Sequence, residues 1–83
     1  MDVTTEVIAV LKEILNLRGR ATGFTTDTPL LGSIPELDSI AVVSIVTELE
    51  QRFGFVAEDD ELDASTFQTV GSLAGYVRRK LDS

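Results

Sequence analysis

At 83 residues the chain is the size of one domain, and a single core at that length leaves a net stability of only about 3–5 kcal/mol. Its 43% hydrophobic and 25% charged residues are the balance of a folded helical domain rather than a disordered tail, and the lack of histidine and cysteine excludes disulfides, zinc sites and a thiol of its own. The formal charge of −7 is concentrated between Asp27 and Asp63, where Arg52 is the lone basic residue; this acidic middle argues against nucleic acid, whose phosphates it would repel, and favours partners with basic docking patches.

The first periodic segment runs from about Asp2 to Leu17, with Val3, Val7, Ile8, Leu11, Ile14 and Leu15 returning every three or four residues. This spacing predicts a helix. Asp2 or Thr4 can cap its start, and Arg18 and Gly19 suit its end. From Gly19 to Leu37 the chain is rich in Gly, Thr, Pro and Asp, without sustained periodicity, and reads as one long ordered loop. No apolar run approaches the roughly 20 residues that cross a bilayer, and the first residues carry neither a basic region nor an apolar signal core. A cytoplasmic location is the corresponding expectation.

The second helix is predicted from Asp38 or Ser39 to Phe53, stopping at Gly54. Its stripe of Ile40, Val43, Val46, Leu49 and Phe53 is widened by Val42 and Ile45, and core packing is the expectation for Val43, Val46 and Leu49. Asp38 is a suitable N-cap: its carboxylate can accept from the free amides of the first turn and lies at the positive end of the helix dipole. Ser39 then falls on the first turn, exposed. A nucleophilic serine needs a base to take its proton, usually histidine, and this chain has none. Ser39 is therefore better read as a place where another enzyme attaches something than as a catalyst, with a plain capping pair as the alternative. A hydrolase ranks last among the readings, because the chain offers no base beyond carboxylates and amines.

The run Glu58-Asp59-Asp60-Glu61-Leu62-Asp63 invites a calcium reading. In a calcium loop started at Asp59, however, Ala64 occupies the position that needs glycine and Val70 the position that needs a bidentate glutamate, so no metal site is expected. Ala64 to Phe67 is predicted as a short helix or turn anchored by Leu62 and Phe67. The last helix begins near Thr69, turns Val70, Leu73, Val77 and Leu81 inward, and ends with Arg78, Arg79 and Lys80 at its negative pole. Gly71 and Gly75 inside it weaken it by roughly 1 kcal/mol each relative to alanine, unless close helix contacts need their small size. The sum is an all-α fold over residues 1–83, a small four-helix bundle of three main helices and one short one, with the long loop between the first two.

With these elements in place, Leu37-Asp38-Ser39-Ile40 resembles the Leu-Asp-Ser-Leu signature of the acyl carrier proteins. Leu49-Glu50 with Phe53-Gly54 resembles the end of that family's second helix, and Phe67-Gln68-Thr69-Val70 with Tyr76-Val77 its entry to the last. The resemblance covers nearly the whole chain. It implies a non-catalytic carrier that holds acyl groups as thioesters on a 4'-phosphopantetheine arm attached to Ser39, placed there by a phosphopantetheinyl transferase from coenzyme A. It also implies recognition of partners through Asp38, Ile40, Glu48 and Glu50, and a cleft along Val43, Val46, Leu62 and Phe67 that could shelter the acyl chain. The implied partners are an acyl-loading ligase or synthase and acyltransferases with basic docking patches, acting on a monomer. An aminoacyl or peptidyl carrier loaded by an adenylating ligase would use Ser39 identically, and an unmodified helical adaptor would not use it at all.

Two departures from the fatty-acid-synthesis pattern stand out. Positions after the serine that carry acids in those relatives are Ala41 and Ser44 here, and the approach Gly32-Ser33-Ile34-Pro35-Glu36 is longer. Both imply a specialised bacterial carrier with its own enzymes, and the run from Leu31-Gly32 to Ser39 also resembles carriers associated with exosortase and exopolysaccharide gene sets.

Overall fold

The computed structural model describes residues 2–15, 23–32, 34, 37–58 and 62–82. Within them lie three α-helices, α1 (Val3–Leu15), α2 (Ser39–Phe53) and α3 (Val70–Asp82), and α1 packs against both of the others. No strand forms among the described residues; the nearest approach is an isolated antiparallel bridge between Pro29 and Thr69.

Each helix starts where a side chain satisfies amides that have no partner within the helix. Asp2 does so for α1, accepting from the Thr4 N–H at 3.1 Å and from the Thr5 hydroxyl at 3.0 Å. At α3 the caps are reciprocal: Ser72 N–H donates to Thr69 Oγ1 and Thr69 N–H to Ser72 Oγ, both at 3.0 Å. This is the geometry of a capping box with serine in the place of the usual glutamate. At the other end of α2, Gly54 takes φ 75°, a left-handed conformation that costs glycine nothing, and its N–H closes on Glu50 O at 2.8 Å. The predicted end of α1 at Arg18 and Gly19 lies outside the described residues.

Val7, Val10 and Leu11 of α1, Ile45 and Leu49 of α2, and Val70, Leu73 and Val77 of α3 are buried in one core, joined by Leu30, Leu37 and Phe67 from the connecting segments. Tyr76 packs edge-on against Phe55 with ring centroids 6.1 Å apart, a favoured aromatic geometry. Arg52 links α1 to α2: its guanidinium reaches Glu6 at 3.4 Å, Glu13 at 3.2 Å and Glu48 at 3.3 Å.

The long loop is held down by backbone. Leu30 and Leu31 N–H donate to Gln68 O and Phe67 O at 2.9 and 3.0 Å, and Val70 and Gly71 N–H donate to Thr28 O and Thr26 O at 3.0 and 2.8 Å. These bonds satisfy the first amides of α3 with loop carbonyls, so loop and helix end form one unit.

Three expectations are corrected. Residues 64–67, read as a short helix or a turn, are turns closed by bonds from Thr66 N–H to Asp63 O (3.1 Å) and from Gln68 N–H to Ser65 O (3.4 Å), so the fourth helix of the expected bundle is not seen among the described residues. Val43, assigned to the core, is 65% exposed, and Ile40, at the head of the same stripe, is 77% exposed. Leu81, assigned inward, is 40% exposed because it lies in the last turn of α3, past the core residue Val77.

Candidate functional site

Leu37 is buried and pins the chain against the core immediately before Asp38, Ser39 and Ile40, all exposed. Asp38 is extended (φ −110°, ψ −176°); its Oδ1 accepts from Ala41 N–H at 2.8 Å, and its carbonyl accepts from Val42 N–H at 2.9 Å as the first bond of the helical ladder. The cap therefore occupies Asp38's carboxylate and fixes the direction in which the helix starts. Ser39, the first residue of α2, presents its hydroxyl at the tip of the helix, and no hydrogen bond holds it among the described residues. Asp38→Ala should remove the cap and lower stability by about 1 kcal/mol, seen as a lower midpoint in a urea melt with unchanged slope.

Of the acids expected to meet partners, Glu48 is held by Arg52 and Glu50 Oε2 accepts from Ala57 N–H at 2.8 Å. Both carboxylates are thus committed inside the molecule. Ile40 stands one residue past Ser39 with its side chain in solvent.

The residues expected to form one cleft lie along two adjoining grooves. One, of about 180 Å³, is lined by Leu31, Val42, Leu62, Asp63, Ala64 and Phe67. The other, of about 260 Å³, is lined by Val42, Val43, Val46, Thr47, Ala57 and Leu62, with Glu50 at its polar end. Val42 and Leu62 line both. Sequence reasoning missed Leu31 and Val42 as lining residues. Val42, three residues after Ser39 on the same helix, carried a usable signal; Leu31 is brought in only by the backbone bonds that tie its loop to Phe67 and Gln68.

Asp63 organises the turn beside the first groove. Its Oδ1 accepts from the Ser65 hydroxyl at 2.6 Å, from Thr66 N–H at 3.2 Å and from the Thr66 hydroxyl at 3.3 Å. These bonds, the Ser65 hydroxyl first, stabilise the carboxylate and lower its pKa below the usual 3.8. A carboxyl whose folded pKa is depressed stabilises the fold above its unfolded value, and that contribution is lost as pH falls through the folded one. Asp63→Asn should therefore flatten the acid limb of a stability-against-pH curve below about pH 4, a change that melts recorded in an acid series would detect.

Among the described residues no cluster of acids is arranged to hold a metal ion, and no helix is long and apolar enough to cross a membrane. Asp59, Asp60 and Glu61 lie outside the described residues.

Comparison with known proteins bears on this arrangement. The family model described as a phosphopantetheine attachment site matches residues 5–77. An acyl carrier protein of Beutenbergia cavernae is 33% identical over 76 residues, which cover 87% of this chain and 87% of that protein. The solution NMR structure of a holo acyl carrier protein from Nitrosomonas europaea matches with a TM-score of 0.92 and 47% identity over 100% of both chains. The serine is exposed at a capped helix start, in a chain that contains no histidine. The chain belongs to the acyl carrier protein family, whose members are carriers rather than enzymes and hold a covalently attached 4'-phosphopantetheine.

Proposed function

We propose that Ser39 Oγ is the attachment point of the phosphopantetheine arm. The observation that carries this reading is the position of the hydroxyl: exposed, at the first residue of α2, directly after the Asp38 cap. A separate phosphopantetheinyl transferase supplies the base that removes the hydroxyl proton. The Ser39 oxygen then bonds to the phosphorus of coenzyme A's pantetheine phosphate, and the bond from that phosphorus to the adenosine bisphosphate breaks. The resulting phosphodiester lies at the positive end of the α2 dipole, where its charge is favoured by about 0.3–1 kcal/mol in an exposed setting. The arm supplies a terminal thiol on which acyl groups are carried as thioesters.

The chain's own part is to present and to position. Asp38 sets the helix start, Leu37 anchors the approach, and the grooves that Val42 and Leu62 line offer apolar surface to a short acyl chain. Loading ligases or synthases and acyltransferases are the enzymes served, by a monomer in the cytoplasm. The lack of acids at Ala41 and Ser44 supports a specialised carrier with its own partner set. Intact-mass measurement of wild type and Ser39→Ala after incubation with a transferase and coenzyme A tests the attachment point.

A further inference from the structure

Leu31, on the loop before α2, belongs to two spaces at once. It lines the apolar groove of about 180 Å³ together with Val42, Leu62 and Phe67, and it also lines a second space of about 320 Å³ bordered by Ala64, Ser65 and Gln68. Ala64 is shared too, but its side chain is a single methyl, so Leu31 is the one large side chain that the two have in common. Its backbone is fixed. The Leu31 N–H donates to Phe67 O at 3.0 Å, and Leu30 beside it is buried and donates to Gln68 O at 2.9 Å. The Leu31 side chain itself is 45% exposed, so it forms wall without being part of the core. The two spaces also differ in chemistry. Asp63 is the one charged residue on the groove, whereas the second space has the Ser65 hydroxyl and the Gln68 amide along its border.

We propose that Leu31 sets the length of the cargo by closing the apolar groove off from the second space, and that the cargo is a short acyl chain with an apolar end. The proposal rests on the reading that an arm on Ser39 delivers its acyl group to this groove. A dry cavity of about 150 Å³ takes a six-carbon molecule, so the groove of about 180 Å³ is filled by roughly six carbons. A longer chain has two courses. Passing Leu31 displaces that side chain and sets methylenes beside the polar groups of Ser65 and Gln68; staying outside leaves them in water. Either course forfeits the gain from burying further methylenes, so the gain stops growing at the length that fills the groove. A smaller side chain at position 31 joins the two spaces and moves this limit to longer chains. Because backbone bonds pin residues 30 and 31, truncation removes the partition and leaves the loop where it is.

The test loads the full chain with butyryl, hexanoyl, octanoyl or decanoyl arms, using a broad-specificity transferase and the corresponding acyl-coenzyme A thioesters. The melting midpoint of each loaded form is compared with that of its own unacylated holo form, which removes whatever a substitution does to the bundle itself. Wild type, Leu31→Ala, Leu31→Phe and Val56→Ala are treated alike, with Val56 as the control because it is 68% exposed and lines neither space. In wild type the midpoint should rise by about 4–8 °C up to hexanoyl and by less than about 2 °C from there to decanoyl. In Leu31→Ala it should climb by a further 4 °C or more, roughly, between hexanoyl and decanoyl. Leu31→Phe should level off at butyryl, and Val56→Ala should follow wild type. A Leu31→Ala profile equal to that of wild type overturns the proposal, as does the same lengthening in Val56→Ala. Wild-type midpoints that ignore chain length overturn the groove reading and the proposal with it, whereas a wild type that takes up no arm overturns the attachment reading beneath both, so the failures are distinct.

Discussion

Ser39→Ala is expected to take up no phosphopantetheine under conditions that convert wild type to a single added group, while its thermal stability stays within about 0.5 kcal/mol of wild type, as is usual at exposed sites. The absence of reaction would then be chemical and not a failure to fold. Among the described residues the other serines are less suited to the same chemistry, and Ser33 lies outside them. Ser65 donates its hydroxyl to Asp63 at 2.6 Å, and Ser72 shares its own between Thr66 O and Thr69 O at 2.9 Å each. Ser44 is half-buried in the second turn of α2, where a transferase would have to reach past the helix tip. Intact mass reads the outcome directly. Uptake by Ser39→Ala equal to that of wild type would move the attachment to another residue, and an unmodified wild type would leave Ser39 as part of a capping pair.

The second large effect concerns two glycines four residues apart. A Cβ built on Gly71 would lie 2.8 Å from Thr26 O and 3.2 Å from Thr26 Cβ, and that same carbonyl accepts the Gly71 N–H. The obstacle is backbone, tied in turn to the helix, so it cannot swing aside as a side chain would. Gly71→Ala should cost on the order of 1–3 kcal/mol through this overlap, only partly offset by the roughly 1 kcal/mol that alanine gains in a helix. At Gly75 the nearest atom is the Arg79 guanidinium at 3.7 Å, an ordinary contact with the end of a flexible side chain. Gly75→Ala should accordingly stabilise, by up to about 1 kcal/mol. In a domain this small, 1 kcal/mol moves the melting midpoint by about 4–8 °C, so calorimetry of the two variants should show shifts of opposite sign. Equal shifts would mean that the loop is not pressed against α3 as described.

Much of the architecture was legible because it is local. The Asp38 cap, the left-handed Gly54 and the reciprocal pair of Thr69 and Ser72 act over three or four residues, and the boundaries of α2 follow from them. Thr69 was readable as a cap, although the answering hydroxyl of Ser72 was not. The exposed Ser39 at a helix tip was legible for the same reason. Periodicity found the stripe of α2 but misjudged its width. Ile45 and Leu49 are covered by the bundle, but Ile40 and Val43 at the stripe's edge have too few neighbours to cover them. The segment 62–67 was ambiguous between helix and turn, because Asp63's short side chain competes for the amides that would begin a helix.

By itself, then, the chain's order of residues determined three helices, their caps, an acidic character and an available hydroxyl in a chain without histidine. Packing decided which glycine is indispensable, which aliphatic side chains remain in water, and that Arg52 binds acids 39 and 46 positions away on α1. The division has a physical cause: capping and periodicity are set by neighbours within one helical turn, whereas burial, close approach and ion pairing depend on surfaces that meet only after the chain has folded.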